Sequence, residues 1–171
     1  MEKIKTKITE DTFVCNSVVL AKYMVAYANE KGYVINMTKL QKLLYIAYGT
    51  YLAVVGARLV NEHPRAWPYG PVFPIVRKKL LEVRLEELTL DETDKPNDEV
   101  QLCVKLVFDG FGKRDHSFLS SWSRLPGSPW DQTVNKYKFD WGDVIPDDII
   151  CSYFKSIIRM KGENDEQGKT E

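Results

Sequence analysis

The sequence predicts a mainly α-helical fold: a compact single domain of about five to six helices with Pro/Gly/Trp-rich corners, and room for a short β-hairpin. Three observations carry this. An apolar run with helical repeat, MTKLQKLLYIAYGTYLAVVG at 37–56, is hydrophobic on most faces and belongs at the centre of the domain. Capping residues and glycines bracket most of the other periodic segments. The stretches AWPYGPVFP and RLPGSPW gather proline, glycine and tryptophan into corners that are stiff by composition.

In chain order, residues 1–14 are a mixed-charge lead-in. Asn16 or Ser17 can cap a first helix through Val18, Val19, Tyr23, Met24 and Tyr27, which closes at Gly32. The short link 33–37 makes it one of an antiparallel or steeply crossed pair with the central helix. Both helices are too apolar to present a base-reading face, so a core helical hairpin is favoured over a DNA-reading helix-turn-helix. In the central helix, Thr38 and Gln41 have capping-box spacing. Leu40, Leu43, Leu44, Ala47, Tyr48, Tyr51 and Val55 then recur on one face, Tyr45, Ile46 and Leu52 fill others, and Gly56 suits a left-handed terminus.

Beyond it, Pro64, Pro68 and Pro71 fix φ, Gly70 permits a sharp bend, and Trp67 and Tyr69 supply area to pin that bend. A third helix is expected over 72–87, with Ile75, Val76, Leu80 and Val83 inward and Arg77, Lys78 and Lys79 outward. An acidic loop follows at 88–97. The run at 99–110 is ambiguous: Val100, Leu102, Val104, Leu106 and Phe108 alternate like a strand, while Val100, Cys103, Val104, Val107 and Phe111 recur like a helix. Asp98 with Gln101 resembles a capping pair, which favours helix. Ser117 or Asp115 can start a short helix with Phe118, Leu119 and Trp122 inward. Residues 131–145 read as irregular, anchored by Phe139 and Trp141. A last helix starts near Pro146, with Asp147 and Asp148 at its positive end and Ile149, Ile150, Tyr153, Phe154 and Ile157 buried. The domain is read as 1–161, and 162–171 as a polar tail expected to be disordered.

Several function classes lose support on composition. Lys+Arg and Asp+Glu are both 24, so bulk charge points to no nucleic-acid or anionic-membrane partner. Three scattered cysteines, Cys15, Cys103 and Cys151, read as reduced and buried in a cytoplasmic protein. The apolar run near the N-terminus is broken by Glu10, Asp11, Asn16 and Lys22, unlike a signal peptide. No stretch approaches the ~20 apolar residues of a membrane span. There is no nucleophile elbow, HExxH or CxxC motif, and no cofactor is expected. Gly110-Phe111-Gly112-Lys113 lacks the first glycine and the Ser or Thr of a phosphate loop. An alternative remains in a small hydrolase or metal-dependent enzyme using His63 with Glu62, or Cys103 with His116. A nucleic-acid-binding regulator is a third reading.

TKLQKLLYIAYGTYLAVVGARL followed by AWPYGPVFPIVRK resembles the Panacea antitoxin domain, the family of SocA-like and phage-associated GepA-like proteins. The likeness continues into LSSWSRLPGSPW, where Ser123 and Arg124 stand in place of the family's more frequent Thr-His, and into the closing helix. It covers about residues 17–158. The resemblance implies a mostly helical domain, with a helix at 99–110. It also implies a non-enzymatic antitoxin that binds a cognate toxin encoded by an adjacent gene and in one branch delivers that toxin to a Clp-type protease. With about fifteen residues before the first helix, no appended DNA-binding domain is expected. Lys39, Lys42, Arg65, Trp67 and Tyr69 are the candidate partner contacts, at the exposed edge of the central helix and its corner. On this reading Trp67→Ala unfolds the domain, and Lys42→Ala weakens partner binding with little change in melting temperature.

Overall fold

The computed structural model describes the backbone of residues 12–167 and the side chains of 12–158. Most of the lead-in and the last four residues of the tail lie outside the described residues. Among the described residues, seven α-helices and one antiparallel hairpin follow in the order α1 (Ser17–Lys31), α2 (Met37–Val55), β1 (Arg65–Trp67), β2 (Gly70–Val72), α3 (Pro74–Leu80), α4 (Asp98–Phe111), α5 (His116–Ser123), α6 (Pro129–Val134) and α7 (Asp147–Gln167). The mainly helical expectation holds, and the corner after the central helix is the hairpin.

α2 is the hub. It touches α1, α3, α4, α5, α7 and the hairpin, and Leu40, Leu43, Leu44, Tyr45, Ala47 and Tyr48 on it are wholly or almost wholly buried. Gly49 brings α7 unusually close: a Cβ there would lie 2.3 Å from the Phe154 ring. Tyr45 and Trp122 meet that ring edge-on. On another side, Phe108 packs between Tyr27 and Tyr33, joining α4 to α1.

Several helix ends follow local chemistry. Asn16 Oδ1 accepts from the amides of Val18 and Val19, and Gly32 (φ 79°) and Gly56 (φ 78°) close α1 and α2 in the left-handed region. Asp115, the alternative to Ser117, caps α5. The start of α2 differs from the capping box expected at Thr38. Asn36 is the cap, accepting from the Lys39 amide at 2.8 Å, and Thr38 lies inside the helix. Gln41 is thereby released to act at longer range. Its Oε1 accepts from the Phe73 amide at 2.7 Å and its Nε2 donates to the Phe73 carbonyl at 3.3 Å, in a buried setting. Asn36→Ala is therefore expected to cost about 1 kcal/mol and Thr38→Ala a few tenths, read from urea midpoints.

The ambiguous run is helical. Val100, Cys103, Val104, Val107 and Phe108 are buried, while Leu102 and Leu106, which a strand would have turned inward, are each 55% exposed. Its cap is Asn97, one residue before the expected Asp98. α3 is shorter than expected and ends at Leu80. The chain turns there to bury Leu85, and the Asn29 side-chain amide donates to the carbonyls of Leu85 and Leu88. Ile75, expected inward, is exposed, as is Phe118, whose ring lies 4.5 Å from the Arg114 guanidinium. The sixth helix starts within the RLPGSPW corner and runs into the stretch read as irregular: Ser128 caps it through the Asp131 amide and Pro129 takes its first position. The backbone of α7 runs past 161 to Gln167.

Candidate functional site: a cationic aromatic cleft beside the hairpin

The hairpin pairs Arg65 with Val72, Ala66 with Pro71 and Trp67 with Gly70. Pro68 sets the first corner of its two-residue loop, and the positive φ that closes it (116°) falls to Gly70. A Cβ at Gly70 would stand 2.6 Å from Ser123 Oγ and 3.0 Å from Lys42 Cε, so the hairpin is pressed onto α5 and α2 together. It is also held from behind. Trp130 Nε1 donates to the Trp67 carbonyl at 2.7 Å, and Ala66 exchanges backbone hydrogen bonds with Asp143 and Gly142.

Between α2, the hairpin, α5 and the start of α3 lies a cleft of about 670 Å³. Met37, Trp67 and Val72 give it apolar walls, and Ser117, Ser120 and Ser121 line the α5 side. Its charged lining is one-signed: Lys42, Arg77 and Arg124, with no carboxylate. The Arg77 guanidinium lies 5.4 Å from the Trp67 ring, a cation–π contact that stiffens the mouth.

Lys42 is the unusual member. It is 2% exposed, and its Nζ donates to the Pro71 carbonyl at 2.9 Å. Burial, helped by the Arg124 guanidinium, pushes its pKa down from 10.5 to about 8. The unfolded chain therefore binds more protons between pH 8 and 10.5. The cost of burying the charge is fully present below pH 8 and is relieved as the pH rises through that window. Lys42→Met removes the charge. Its stability relative to the parent chain is expected to fall by about 2 kcal/mol between pH 7 and 9.5, since only the parent gains from deprotonation. Paired urea titrations at the two pH values check this, because the tyrosines and thiols cancel in the difference.

Of the five candidate contacts, the structure brings Lys42, Trp67 and Tyr69 together at the cleft, Tyr69 standing 75% exposed on its rim. Lys39 was expected at an exposed edge but is 6% exposed. Its Nζ donates to the carbonyls of Val34 (2.8 Å) and Gly112 (2.6 Å), fastening α2 to the end of α4. Arg65 is exposed on the outer strand, donates to the Gly142 carbonyl and does not line the cleft. Trp67 is half-buried at the wall and outside the core, so its truncation is expected to open the cleft rather than unfold the domain. Lys42 is buried, so its substitution is expected to change stability, against the expectation of a nearly unchanged melting temperature. Sequence reasoning missed Arg77, which it placed on a solvated face, and Arg124. For Arg124 the signal was present, since it occupies a position where the resembling family more often carries histidine.

The groups weighed for catalysis are dispersed. The Cys103 thiol, buried against the Ala47 carbonyl, is pushed up to about 12 by burial and then by Glu99, so it stays protonated. His116 meets Asn36 at 3.3 Å by the cleft. His63 Nε2 lies 2.7 Å from Arg58 Nη1, and its Nδ1 is 3.7 Å from Asp147, which also accepts from the Tyr48 hydroxyl. Burial would raise the Asp147 carboxyl, but His63, Tyr48 and Arg58 together hold it below the usual carboxylate range. This knot ties α2 and the 57–64 segment to α7. Among the described residues, no group of three or more His, Cys, Asp and Glu side chains is placed to hold a metal, and no helix is long and apolar enough to cross a membrane.

The cleft gives this helical domain a concave, one-signed and aromatic surface of the kind recognition uses. Its lineage agrees: the profile of the antitoxin SocA-like family, Panacea domain, matches residues 40–131, more than half of the chain, and the chain belongs to that family. It is similar to Antitoxin SocA of Caulobacter vibrioides (strain NA1000 / CB15N), 26% identical over 141 residues, with 75% of each chain covered. No solved structure matches the chain.

Proposed function

We propose that this chain is a cytoplasmic, non-enzymatic antitoxin that neutralises a toxin encoded by an adjacent gene through direct contact, and that the toxin docks at the cleft. One observation carries the reading. The charged and aromatic residues of the cleft come from α2, the hairpin, α3 and the two ends of α5, where His116 opens the helix and Arg124 caps it, and all of them fall inside the segment that matches the family. Preorganised aromatic and arginine groups around a concave surface are what protein interfaces use as anchors.

Coexpression with the product of the neighbouring open reading frame tests the reading. The expected result is rescue of growth and co-purification as a complex. In that assay Trp67→Ala is expected to weaken binding by at least tenfold while the domain still melts cooperatively. A neighbour that is harmless alone and never co-purifies would sink the proposal. The same contact serves either to block the toxin or to deliver it to a Clp-type protease. The two modes part on the toxin's steady-state level in cells lacking that protease: unchanged for blocking, raised for delivery.

A further inference from the structure

The cleft has a chemical preference that its shape alone does not state. Lys42 carries three N–H donors, and one is taken by the Pro71 carbonyl. The other two belong to a side chain with almost no access to water. Arg124, whose Nε donates to the Ser120 carbonyl, lines the same space and adds a like charge, so the two cations oppose each other with no anion between them. A buried ammonium left this way is held at a cost that an incoming anion relieves through charge-assisted hydrogen bonds. The rest of the wall (Met37, Trp67, Val72) is apolar, which suits an uncharged neighbour of that anion. At about 670 Å³ the cleft has the size of a small-ligand pocket and admits a few side chains, not a nucleic-acid duplex.

We propose that the cleft recognises an acidic side chain on the partner protein. Its carboxylate is seated between Lys42 and Arg124, and an adjoining apolar residue packs against Trp67 and Val72. This rests on the reading that the partner docks at the cleft, and it adds the chemistry that selects the partner. Opposite charge in a partly desolvated cleft also makes the association fast and salt-sensitive.

The test uses the full chain and two probes, the peptides Ac-Phe-Glu-Leu-NH2 and Ac-Phe-Gln-Leu-NH2, followed by shifts of backbone amide and tryptophan indole signals. The glutamyl peptide is expected to move Trp67, Val72 and Ser120 through Arg124, with at least tenfold weaker binding for the glutaminyl peptide. Arg124→Gln is expected to abolish that difference and Arg124→Lys to restore part of it; melting curves show that both variants are folded. Equal binding of the two peptides, shifts confined to another surface, no shifts, or tighter binding of AMP than of the glutamyl peptide would each overturn the proposal. The toxin complex separates the two levels of inference. If the toxin stays bound to Arg124→Gln and in 0.5 M salt (about a threefold shorter screening length than at 0.05 M), direct contact stands and the carboxylate does not. If the toxin never binds the parent chain, direct contact fails, and the peptide titration still decides the chemistry of the cleft.

Discussion

Gly49→Ala is expected to destabilise the domain by about 2–3 kcal/mol, a fall in melting temperature of about 5–10 °C for a chain of this size. Helix propensity alone predicts the opposite sign, a gain of about 1 kcal/mol on replacing a mid-helix glycine. The deciding term is space. Three atoms of the Phe154 ring lie 2.3–2.6 Å from where the Cβ would sit. That ring cannot swing aside, because Tyr45, Trp122 and Tyr153 contact it on its other sides. α7 must lift from α2 instead, loosening the largest helix–helix contact of the hub. Urea unfolding of Gly49→Ala, Phe154→Leu and the double variant checks the mechanism. A double variant less damaged than the sum of the singles, by at least 1 kcal/mol, is the expected signature of a shared clash. Simple additivity would show that the two positions do not meet.

The second large effect is expected at Glu62, a buried carboxylate in the loop before the hairpin. Oε2 accepts from Ser17 Oγ at 2.6 Å and from the Val76 amide at 3.3 Å, and Oε1 accepts from the Ile75 amide at 3.0 Å. α3 begins with a proline and its own cap residue, Phe73, has no side-chain oxygen, so Glu62 stands in as the missing cap. Glu62→Ala leaves three donors without that acceptor and is expected to cost about 3 kcal/mol. Glu62→Gln keeps an acceptor oxygen and loses the charge, and is expected to cost about half as much. If the two variants melt together, the carboxylate is not what holds α1 to α3.

Local chemistry was readable in several places, though the Asn97 cap of α4 and the Ser128–Pro129 start of α6 were missed. The seam of α2, the glycine ends of α1 and α2, and the proline-set corner all depend on neighbours within a few positions. Most of what else stayed hidden depended on distant partners. Thr38 and Gln41 have the spacing of a capping box, but Gln41 is spent on Phe73, 32 positions away, and Asn36 takes the cap. Lys39 and Lys42 were both expected at the exposed edge of the central helix. Lys39 is drawn inward by the Gly112 carbonyl, 73 positions on, and Lys42 by Pro71, 29 positions on. α3 stops short because Asn29 claims the carbonyls beyond it, 56 and 59 positions from itself. The cleft was half legible for the same reason. Its hairpin wall is a local motif, whereas Arg77 and Arg124 reach it only through tertiary packing.

The meeting of α2 with α7 also sets a schedule for the newborn chain. Tyr48 and Asp147 are separated by 99 positions, and the Gly49 furrow receives Phe154 from still further along. At about 5–20 residues per second of synthesis, that flank of α2 waits roughly 5–20 s for its cover. The cleft spans 37–124, and its last residue, Arg124, precedes Asp147 by 23 positions, about 1–5 s at the same rate. The cleft is therefore complete in the newborn chain shortly before its closing helix arrives. Contacts this remote in sequence are those that slow folding.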